Sequence, residues 1–307
     1  VNDLGYGMHG LGYYKVLKLG GIKVNVTMVA ETNRADWPNL LANLEIDIDE
    51  FLIDTTREPN PEIPQMTVWH ADHVCKNVVS KPHIAVSTFE TSKLRPQESR
   101  GLRLADVKLT CSKWGLEVLQ KSSLHPSELM GWIPGPAWPL YLKDANITPL
   151  DEELSELYIR ERVLLNIGKF EARKNQKSLL KALHNLGYPE VTLITLWNNP
   201  FEGFLEMPMG HLVNEYGFEL TGRVNFDGVH AFSFVREDTQ VIMLSKMPGY
   251  KQIRRLYKTV DGYVTTSCGE GWDLPLVDAI AMNIPVLATD NTCLLYTSPS
   301  PRDRTRS

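Results

Sequence analysis

Three basic side chains lie close together near the middle of the chain, directly after an apolar segment typical of a strand. Lys169, Arg173 and Lys174 follow Val163–Ile167 within the segment GKFEARKN. Cations at the carboxyl end of a parallel strand face the crevice in which such sheets bind ligands. Because ammonium and guanidinium groups donate to phosphate oxygens, this loop is suited to neutralise a diphosphate without a metal ion. A solvated basic turn explains the same charge pattern.

A second segment, SCGEGWDLPLVDA at 267–279, brings two carboxylates to a predicted junction between a strand and a helix. Glu270 lies in the loop, and Asp278 lies inside the helix whose first turn holds Pro275. Each carboxylate can accept hydrogen bonds from neighbouring sugar hydroxyls, and the backbone N–H groups around 272–274 can bind a phosphate. The alternative is an ordinary helix with acidic residues near its positive end.

Glycines crowd the start of the chain, in the segment GYGMHGLG at 5–12. The helical pattern of Tyr13–Leu19 follows them, so the glycines are predicted to form a loop between a strand and a helix. Such a loop lets backbone N–H groups approach an anion at the helix N-terminus. Gly10 and Gly12 are the residues expected to do so, and a plain glycine-rich turn is the alternative.

Two other arrangements suggest metal binding but fit it poorly. The DxD spacing at 47–49 is flanked by alternating apolar residues, which favours the edge of a surface strand. The segment 70–75 carries two histidines, an aspartate and a cysteine, yet it matches no established zinc spacing. No serine–histidine–acid or cysteine–histidine arrangement rises above chance. The sequence therefore predicts no metal site and no cofactor.

Short apolar segments alternate with helical patterns along the chain, which is typical of parallel sheets with helices on their faces. Ile22–Val29 alternates apolar and polar residues and is predicted to be a strand. The leucines of 179–186 lie on one face of a helix that Gly187 ends. Two more helices are predicted at Lys251–Lys258 and Leu274–Met282. The other predicted strands are His83–Phe89, Val107–Cys111, Val163–Ile167, Val191–Trp197, Val241–Leu244, Gly262–Thr266 and Pro285–Ala288.

Length and composition exclude several classes of protein. The chain has 307 residues, of which 43 % are hydrophobic and 22 % are charged. This length predicts two domains, and this composition excludes a disordered, collagen-like or disulfide-rich chain. The formal net charge of −5 argues against nucleic acid as a partner. No apolar run approaches the roughly 20 residues of a membrane-spanning helix. Four scattered cysteines without a CxxC pair suit a reducing cytoplasm.

Composition shifts along the chain predict its domain limits. Prolines and acidic residues concentrate between 134 and 161, so the domains are predicted at 1–145 and 146–292. The segment 293–307, CLLYTSPSPRDRTRS, has no periodicity and resembles adaptor-derived sequence, so we expect it to be non-native. Because the chain begins with Val1, we also expect it to be truncated at both ends.

Several segments together resemble one enzyme family. GKFEARKN at 168–175 and GEGWDLPLVDAIAMNIPVLATD at 269–290 resemble the donor-binding half of retaining family 4-type glycosyltransferases with the GT-B fold. STFETSKL at 87–94, ADV at 105–107 and CSKW at 111–114 resemble the other half. The resemblance implies an α/β chain with two Rossmann-like domains that face each other across a cleft. It also implies that the second domain holds a nucleotide-diphosphate sugar and the first holds the acceptor.

The resemblance also implies a role for each matched residue. Lys169 and Lys174 match the basic pair that clamps the donor diphosphate, and Arg173 lies beside them. Glu270 matches the acidic residue that holds the donor sugar hydroxyls, and Asp278 matches the one that binds the ribose hydroxyls. The implied reaction moves a glycosyl group to an acceptor hydroxyl with retention, without a metal and without an established protein nucleophile. The other implied donor-binding residues are Gly10, Gly12, Gly271, Trp272, Asp273 and Leu274.

Three positions depart from the family pattern. Asp278 is one methylene shorter than the usual glutamate, so its contact with ribose is expected to be longer or through water. Asp273 stands where glycine is commonest, beside the expected phosphate. The family's histidine near the sugar has no clear match, and Glu90 occupies the equivalent segment as a candidate catalytic residue.

Two alternatives stay open at this level. One is a nucleotide-sugar epimerase, which shares the fold, and the other is a non-catalytic fragment that binds nucleotide sugars. The expected partners are a nucleotide-sugar donor and a glycan or other hydroxyl acceptor. The expected location is the cytoplasm, with the inner membrane face as a peripheral site that the resemblance implies. No basic amphipathic helix in the sequence supports such membrane contact.

Overall fold

The computed structural model describes residues 5–28, 34–76, 78–122, 124, 129–143, 147–197, 206–247 and 249–294. These residues form two compact α/β units. Unit 1 comprises the described residues of 5–138, 269–274 and 291–294, and unit 2 comprises those of 139–268 and 275–290. None of the described helices combines the length and the apolar character needed to cross a bilayer.

Unit 1 contains a parallel sheet of four strands, which pair in chain order. The strands are β1 (Gln65–Val68), β2 (His83–Val86), β3 (Val107–Thr110) and β4 (Leu129–Trp132). The described helices of this unit are α1 (Gly5–Leu19), α2 (Trp37–Asn43), α3 (Ile48–Thr56), α4 (Pro96–Leu102) and α5 (Lys113–Gln120). Its core contains Val74, Ala85, Leu102 and Leu119, which are fully buried.

Unit 2 contains a larger, mixed sheet. Its strands are β5 (Val163–Ile167), β6 (Val191–Leu196), β7 (Glu219–Phe226), β8 (Val229–Arg236), β9 (Thr239–Leu244), β10 (Gly262–Thr265) and β11 (Val286–Ala288). Its described helices are α6 (Asp151–Leu154), α7 (Gln176–Asn185), α8 (Glu206–Glu215), α9 (Tyr250–Thr259) and α10 (Leu274–Ala281). The spatial order is β11-β10-β5-β6-β9-β8-β7. The first five strands in this order are parallel, and β8 and β7 add an antiparallel hairpin.

The interior strands of unit 2 are buried along their whole length. All residues of β6 and β9 are buried, as expected for apolar and β-branched segments in a sheet covered on both faces. Leu179, Leu180 and Leu183 pack from α7 into the same core. This core holds the strands whose carboxyl ends carry the loops of interest.

Most strands predicted from apolar runs are confirmed. The strand at Val163–Ile167 is confirmed to the residue, and the others differ by one to three residues at their ends. The three predicted helices of unit 2 are confirmed as α7, α9 and α10. Gly187 does end α7, with a left-handed φ of 71°, but Leu186 is exposed because the helix stops at Asn185.

Two predicted strands are wrong. Residues 22–28 of the predicted strand Ile22–Val29 have no strand partner among the described residues, and Val26 N–H instead donates to the carbonyl of Asp54 at 2.9 Å. Val29 lies outside the described residues. The predicted strand edge at 47–49 is instead the start of α3, because the Asp47 carboxylate accepts a capping hydrogen bond from Glu50 N–H at 2.8 Å.

The predicted glycine-rich loop is also wrong. Gly10 and Gly12 lie inside α1, which begins at Gly5, so their N–H groups lie beyond the helix's first turn. The helix forms despite its glycines because Met8, Leu11 and Tyr14 bury one face.

The predicted domain limits and the predicted non-native segment stay predictions. Cys293 and Leu294 are fully buried, and residues 295–307 lie outside the described part of the chain.

Candidate functional site

The basic loop at 168–175 lies at the point of the unit 2 sheet where the strand order reverses. It follows β5, whose two neighbours are β6 and β10. After β5 the chain forms β6 to β9 on one side of it, and it then crosses to form β10 and β11 on the other side. Ligands of open parallel sheets bind at such reversals, beyond the carboxyl ends of the strands. The sheet topology therefore places the predicted diphosphate-binding cations at the expected ligand edge of unit 2.

Hydrogen bonds anchor the basic loop to the segment that follows β10. The backbone N–H of Cys268 donates to the carbonyl of Arg173 at 2.8 Å. The Thr266 hydroxyl donates to the carbonyl of Asn175 at 2.9 Å, and the Asn175 side-chain amide donates back to the carbonyl of Thr266 at 3.3 Å. These contacts fix the backbone from which the basic side chains extend.

Lys169 and Lys174 are half-buried and supported from within the loop. The aliphatic part of Lys174 packs over Gly168, where an added Cβ would lie 3.4 Å from its Cδ atom. The Gln176 side-chain amide donates to the carbonyl of Lys169 at 2.7 Å. Asn175 then takes a left-handed φ of 55°, which turns the chain into α7.

Arg173 is paired with an acidic residue of the same loop. Its guanidinium Nη2 lies 2.7 Å from Glu171 Oε1, so the two side chains form an ion pair within the loop. This pair offsets part of the positive charge predicted for the segment.

Asp278 is held by a residue that sequence reasoning missed. It lies on α10, is 3 % exposed, and accepts a hydrogen bond of 2.5 Å from the Tyr250 hydroxyl. Burial and the Asp278 carboxylate raise the pKa of Tyr250 well above its ordinary value, so this hydroxyl stays a donor. Tyr257, from the same helix α9, donates to the carbonyl of Pro275 at 2.9 Å. No motif marks Tyr250, which begins α9 one residue before the helix predicted from periodicity.

The other carboxylates of the predicted donor site lie in the segment 269–274, here called the acidic segment, which packs in unit 1. A Cβ at Gly271 would lie 2.5 Å from the Thr88 Cβ atom, and one at Gly269 would lie 2.6 Å from the Glu90 carbonyl. Both glycines therefore permit close contact with the loop that follows β2. The side chain of Glu90 is exposed on that loop.

The ring of Trp272 packs on the loop that follows β4. Its indole N–H donates to the carbonyl of Pro136 at 3.4 Å, and a Cβ at Gly135 would lie 2.5 Å from the indole nitrogen. Helix α1 also approaches this loop closely, because a Cβ at Gly12 would lie 2.5 Å from the Pro136 Cβ atom. The structure thus explains Gly12 by the close approach of α1 to Pro136, whereas no atom of the described residues lies within 4 Å of a Cβ at Gly10.

Glu270 and Asp273 are almost fully buried, with 4 % and 2 % exposed. The backbone N–H of Glu270 donates to the Thr292 hydroxyl at 3.0 Å. Burial and these two carboxylates raise the pKa of the buried Cys293 thiol, so Cys293 is a neutral neighbour of the acidic segment. No sequence signal pointed to Thr292 or Cys293 as neighbours of Glu270.

The predicted site residues thus fall into two sets. One set lies in unit 2. It comprises three residues of the basic loop, Lys169, Arg173 and Lys174, together with Asp278 on α10. The remaining predicted residues belong to unit 1, and their joint role with the first set in binding one donor stays a prediction. They are Gly10, Gly12, Glu90, Glu270, Gly271, Trp272, Asp273 and Leu274.

Within the described residues, no group of three or more His, Cys, Asp or Glu side chains is placed to hold a metal ion.

Comparison with known proteins gives a structural likeness only. No protein-family model matches the chain, and no curated protein sequence matches it. The Anabaena protein HepE, solved with UDP and glucose, is 13 % identical with a TM-score of 0.54, over 94 % of this chain and 73 % of that one. Sucrose-phosphate synthase from Thermosynechococcus elongatus is 15 % identical with a TM-score of 0.54, over 90 % and 66 %.

HepE in complex with UDP-glucose is 14 % identical with a TM-score of 0.50, over 71 % of this chain. The chain spans 56 % of the length of that HepE chain. All three solved structures are GT-B glycosyltransferases. At these identities the likeness concerns the fold alone, and it shows that this α/β chain has the GT-B fold.

Proposed function

We propose that the chain is a glycosyltransferase that moves a sugar from a nucleotide-diphosphate sugar to an acceptor hydroxyl, with retention and without a metal ion. The observation that carries the proposal is the anchored loop at the reversal point of the unit 2 sheet, with Lys169 and Lys174 on it. The likeness to HepE, which was solved with UDP-glucose, supports the same class of donor. The nucleotide sugar is a co-substrate, and the proposal includes no further cofactor.

The proposed chemistry requires stabilisation of a leaving group. When the bond between the anomeric carbon and the phosphate oxygen breaks, negative charge builds on the departing diphosphate. Lysine ammonium groups held beside it stabilise that charge more in the transition state than in the bound donor, which lowers the barrier. The acceptor oxygen forms the new glycosidic bond on the same face. Its proton passes to a phosphate oxygen of the leaving diphosphate.

The carboxylates have a separate role in this proposal. Glu270 accepts hydrogen bonds from the donor sugar, and Asp278 accepts them from the ribose. The support for Asp278 is its burial together with the Tyr250 hydroxyl, which restrains the carboxylate in one orientation. Carboxylates oriented in this way give directional recognition of hydroxyl groups.

Substitution of Lys174 tests the proposed diphosphate contact. In calorimetric titrations with UDP-glucose and other nucleotide-diphosphate sugars, we expect Lys174→Ala to abolish measurable donor binding, because one fixed cation is lost. Lys174→Met is expected to weaken donor binding almost as strongly, because it keeps the aliphatic chain over Gly168 and removes the charge. Lys177→Ala is the matched control, since Lys177 lies on α7 and pairs with Glu215 at 3.6 Å.

Undiminished affinity in both Lys174 variants would reject the diphosphate contact. Turnover then separates the functional classes. A transferase releases the nucleotide diphosphate faster when an acceptor is present, whereas an epimerase converts the donor without acceptor. Binding of a nucleotide sugar with no turnover under either condition would contradict the transferase and favour a binding fragment.

A further inference from the structure

The carboxylate of Asp278 uses one of its two oxygens inside the protein. The Tyr250 hydroxyl donates to Asp278 Oδ2 at 2.5 Å, and the two residues are 7 % and 3 % exposed. An ionised carboxylate only accepts, so the hydrogen of the tyrosine points at this oxygen. Hydrogen bonds to ionised oxygens are short and strong, so a ligand hydroxyl does not readily displace this one. At most Oδ1 is therefore left to bind a ligand.

The packing of α9 and α10 holds this pair of residues in place. Leu276 and Ala279, which flank Asp278 along α10, are fully buried. Tyr257 of α9 donates to the carbonyl of Pro275 at 2.9 Å, which gives the two helices a second contact. A shift that freed the Asp278 carboxylate would break this second bond and disturb buried apolar side chains. The Tyr250–Asp278 pair is therefore a fixed feature of unit 2.

Both helices follow strands that end at the ligand edge of the unit 2 sheet. Helix α9 follows β9 and α10 follows β10, and both strands run in the same direction as β5, which carries the basic loop. Ligands of such sheets bind beyond the carboxyl ends of the strands. In the proposed function, this position associates Asp278 with the ribose of the donor.

Two neighbouring ribose hydroxyls need two acceptors if both are to be recognised. A carboxylate supplies them by accepting one hydroxyl on each oxygen. Asp278 supplies at most one acceptor, because Tyr250 donates to Oδ2, and its side chain is one methylene shorter than the glutamate of the family pattern. A hydroxyl that gives up its hydrogen bonds to water and finds no acceptor in the site adds no affinity.

We propose that the Tyr250–Asp278 pair limits Asp278 to one ribose hydroxyl, so that the chain takes donors whose pentose lacks the other. The inference rests on the proposed function and names a donor class within it, the deoxyribonucleotide-diphosphate sugars. Tyr250 acts through Asp278, so it is a positioning residue that sets donor specificity. No motif in the sequence indicated this role.

Nucleotide binding to the full 307-residue chain tests the inference. UDP, ADP and GDP are titrated by calorimetry, and the tightest of them is then compared with its 2′-deoxy and 3′-deoxy forms. We expect one deoxy form to bind within about threefold of the ribonucleotide and the other to bind about tenfold or more weakly. Tenfold weaker binding of both deoxy forms overturns the inference, and so does equal binding of all three nucleotides.

Removal of the Tyr250 hydroxyl separates a positioning role from a structural one. Tyr250→Phe leaves Oδ2 to the second ribose hydroxyl, so the deoxy form that the wild type tolerates should bind about tenfold more weakly than the ribonucleotide. Tyr257→Phe is the matched control, because its hydroxyl lies on the same helix but bonds to the Pro275 carbonyl, so its affinity ratios should equal those of the wild type. A structural role for Tyr250 would weaken all three nucleotides alike, and such unchanged ratios overturn the inference.

A further variant keeps the inference testable where Tyr250→Phe fails to fold. Asp278→Ala removes the proposed ribose contact, so all three nucleotides should then bind within about threefold of one another. Discrimination that persists in Asp278→Ala comes from another residue and overturns the inference.

The same titrations separate the inference from the proposed function. A wild-type chain that binds none of UDP, ADP and GDP rejects the proposed function itself. Binding that discriminates strongly against both deoxy forms leaves the proposed function standing and rejects the deoxyribonucleotide donor alone.

Discussion

Close contacts with neighbouring atoms explain why the acidic segment contains glycine. Gly269 and Gly271 flank the buried Glu270, and each faces the backbone or side chain of the loop after β2 at a distance that no Cβ atom tolerates. The family resemblance implies a ligand-binding role for Gly271. The structure adds a packing reason, because the carboxylate can reach its buried position only if its neighbours have no side chains.

Gly271→Ala is expected to destabilise the chain. The new Cβ atom would lie 2.5 Å from Thr88 Cβ and 2.8 Å from the Phe89 backbone nitrogen, and the backbone cannot move aside cheaply. Overpacking of this kind costs about 1–3 kcal/mol, which should lower the urea midpoint.

Gly210→Ala is the matched control for that substitution. In the part of the chain that the structure describes, no atom lies within 4 Å of a Cβ at Gly210, which is on α8, and alanine favours a helix over glycine by about 1 kcal/mol. The urea midpoint of Gly210→Ala should therefore equal or exceed that of the wild type. Equal urea midpoints for Gly271→Ala and the wild type would show that the loop after β2 can shift to accommodate the added methyl group at little cost.

Between elements, the contact of α9 with α10 depends on tyrosine hydroxyls. Tyr250→Phe removes the hydrogen bond to the buried Asp278 carboxylate, and we expect a loss of about 1–3 kcal/mol in the free energy of unfolding. Tyr158→Phe is the control, because Tyr158 is an exposed tyrosine of the same unit. This substitution should change the free energy of unfolding by no more than about 0.5 kcal/mol. Chemical denaturation of both variants measures the difference. A Tyr250→Phe curve that overlays the wild type would show that Asp278 keeps its position without this donor.

Strands that consist of a continuous apolar run were predictable from the sequence. Strands that depend on pairing with a neighbouring strand were not. Val163–Ile167 and the buried strand β6 are recognisable because both faces of such strands are covered, so nearly every residue is apolar or β-branched. The hairpin β7–β8 was missed because β7 exposes alternate residues at a sheet edge and is interrupted by a bulge near Gly222. The alternation in 22–28 predicted a strand, since pattern alone does not show whether a neighbour exists to pair with it.

The candidate site was predictable to a similar extent. The basic loop and the acidic segment carry motifs, so Lys169, Lys174 and Glu270 were found. Tyr250 was not found, because its importance comes from a contact between residues far apart in sequence. The first half of helix α1 was missed for the same reason, since glycines disfavour a helix locally and buried contacts outweigh that preference, whereas its second half, Tyr13–Leu19, was predicted.

At the scale of the whole molecule, unit 1 is assembled from distant parts of the chain. Its sheet comes from the first half, whereas the acidic segment and residues 291–294 join it after the chain has passed through unit 2. Cys293 and Leu294 are fully buried there, and the Thr292 hydroxyl accepts a hydrogen bond from Glu270. The surroundings of Glu270 are therefore complete only when residues 291–294 are packed in unit 1.

Truncation tests that dependence. A chain that ends at Asp290 loses the buried Leu294 side chain and the hydrogen bond to Glu270, so we expect it to be about 2–4 kcal/mol less stable than a chain that ends at Leu294. Urea denaturation of the two truncated chains gives the difference, and the chain ending at Leu294 serves as the reference for the removal of 295–307. Equal stability would mean that 291–294 adds nothing to unit 1. A difference in the expected range would place the first residues of the segment predicted to be non-native, Cys293 and Leu294, within the folded unit that holds Glu270.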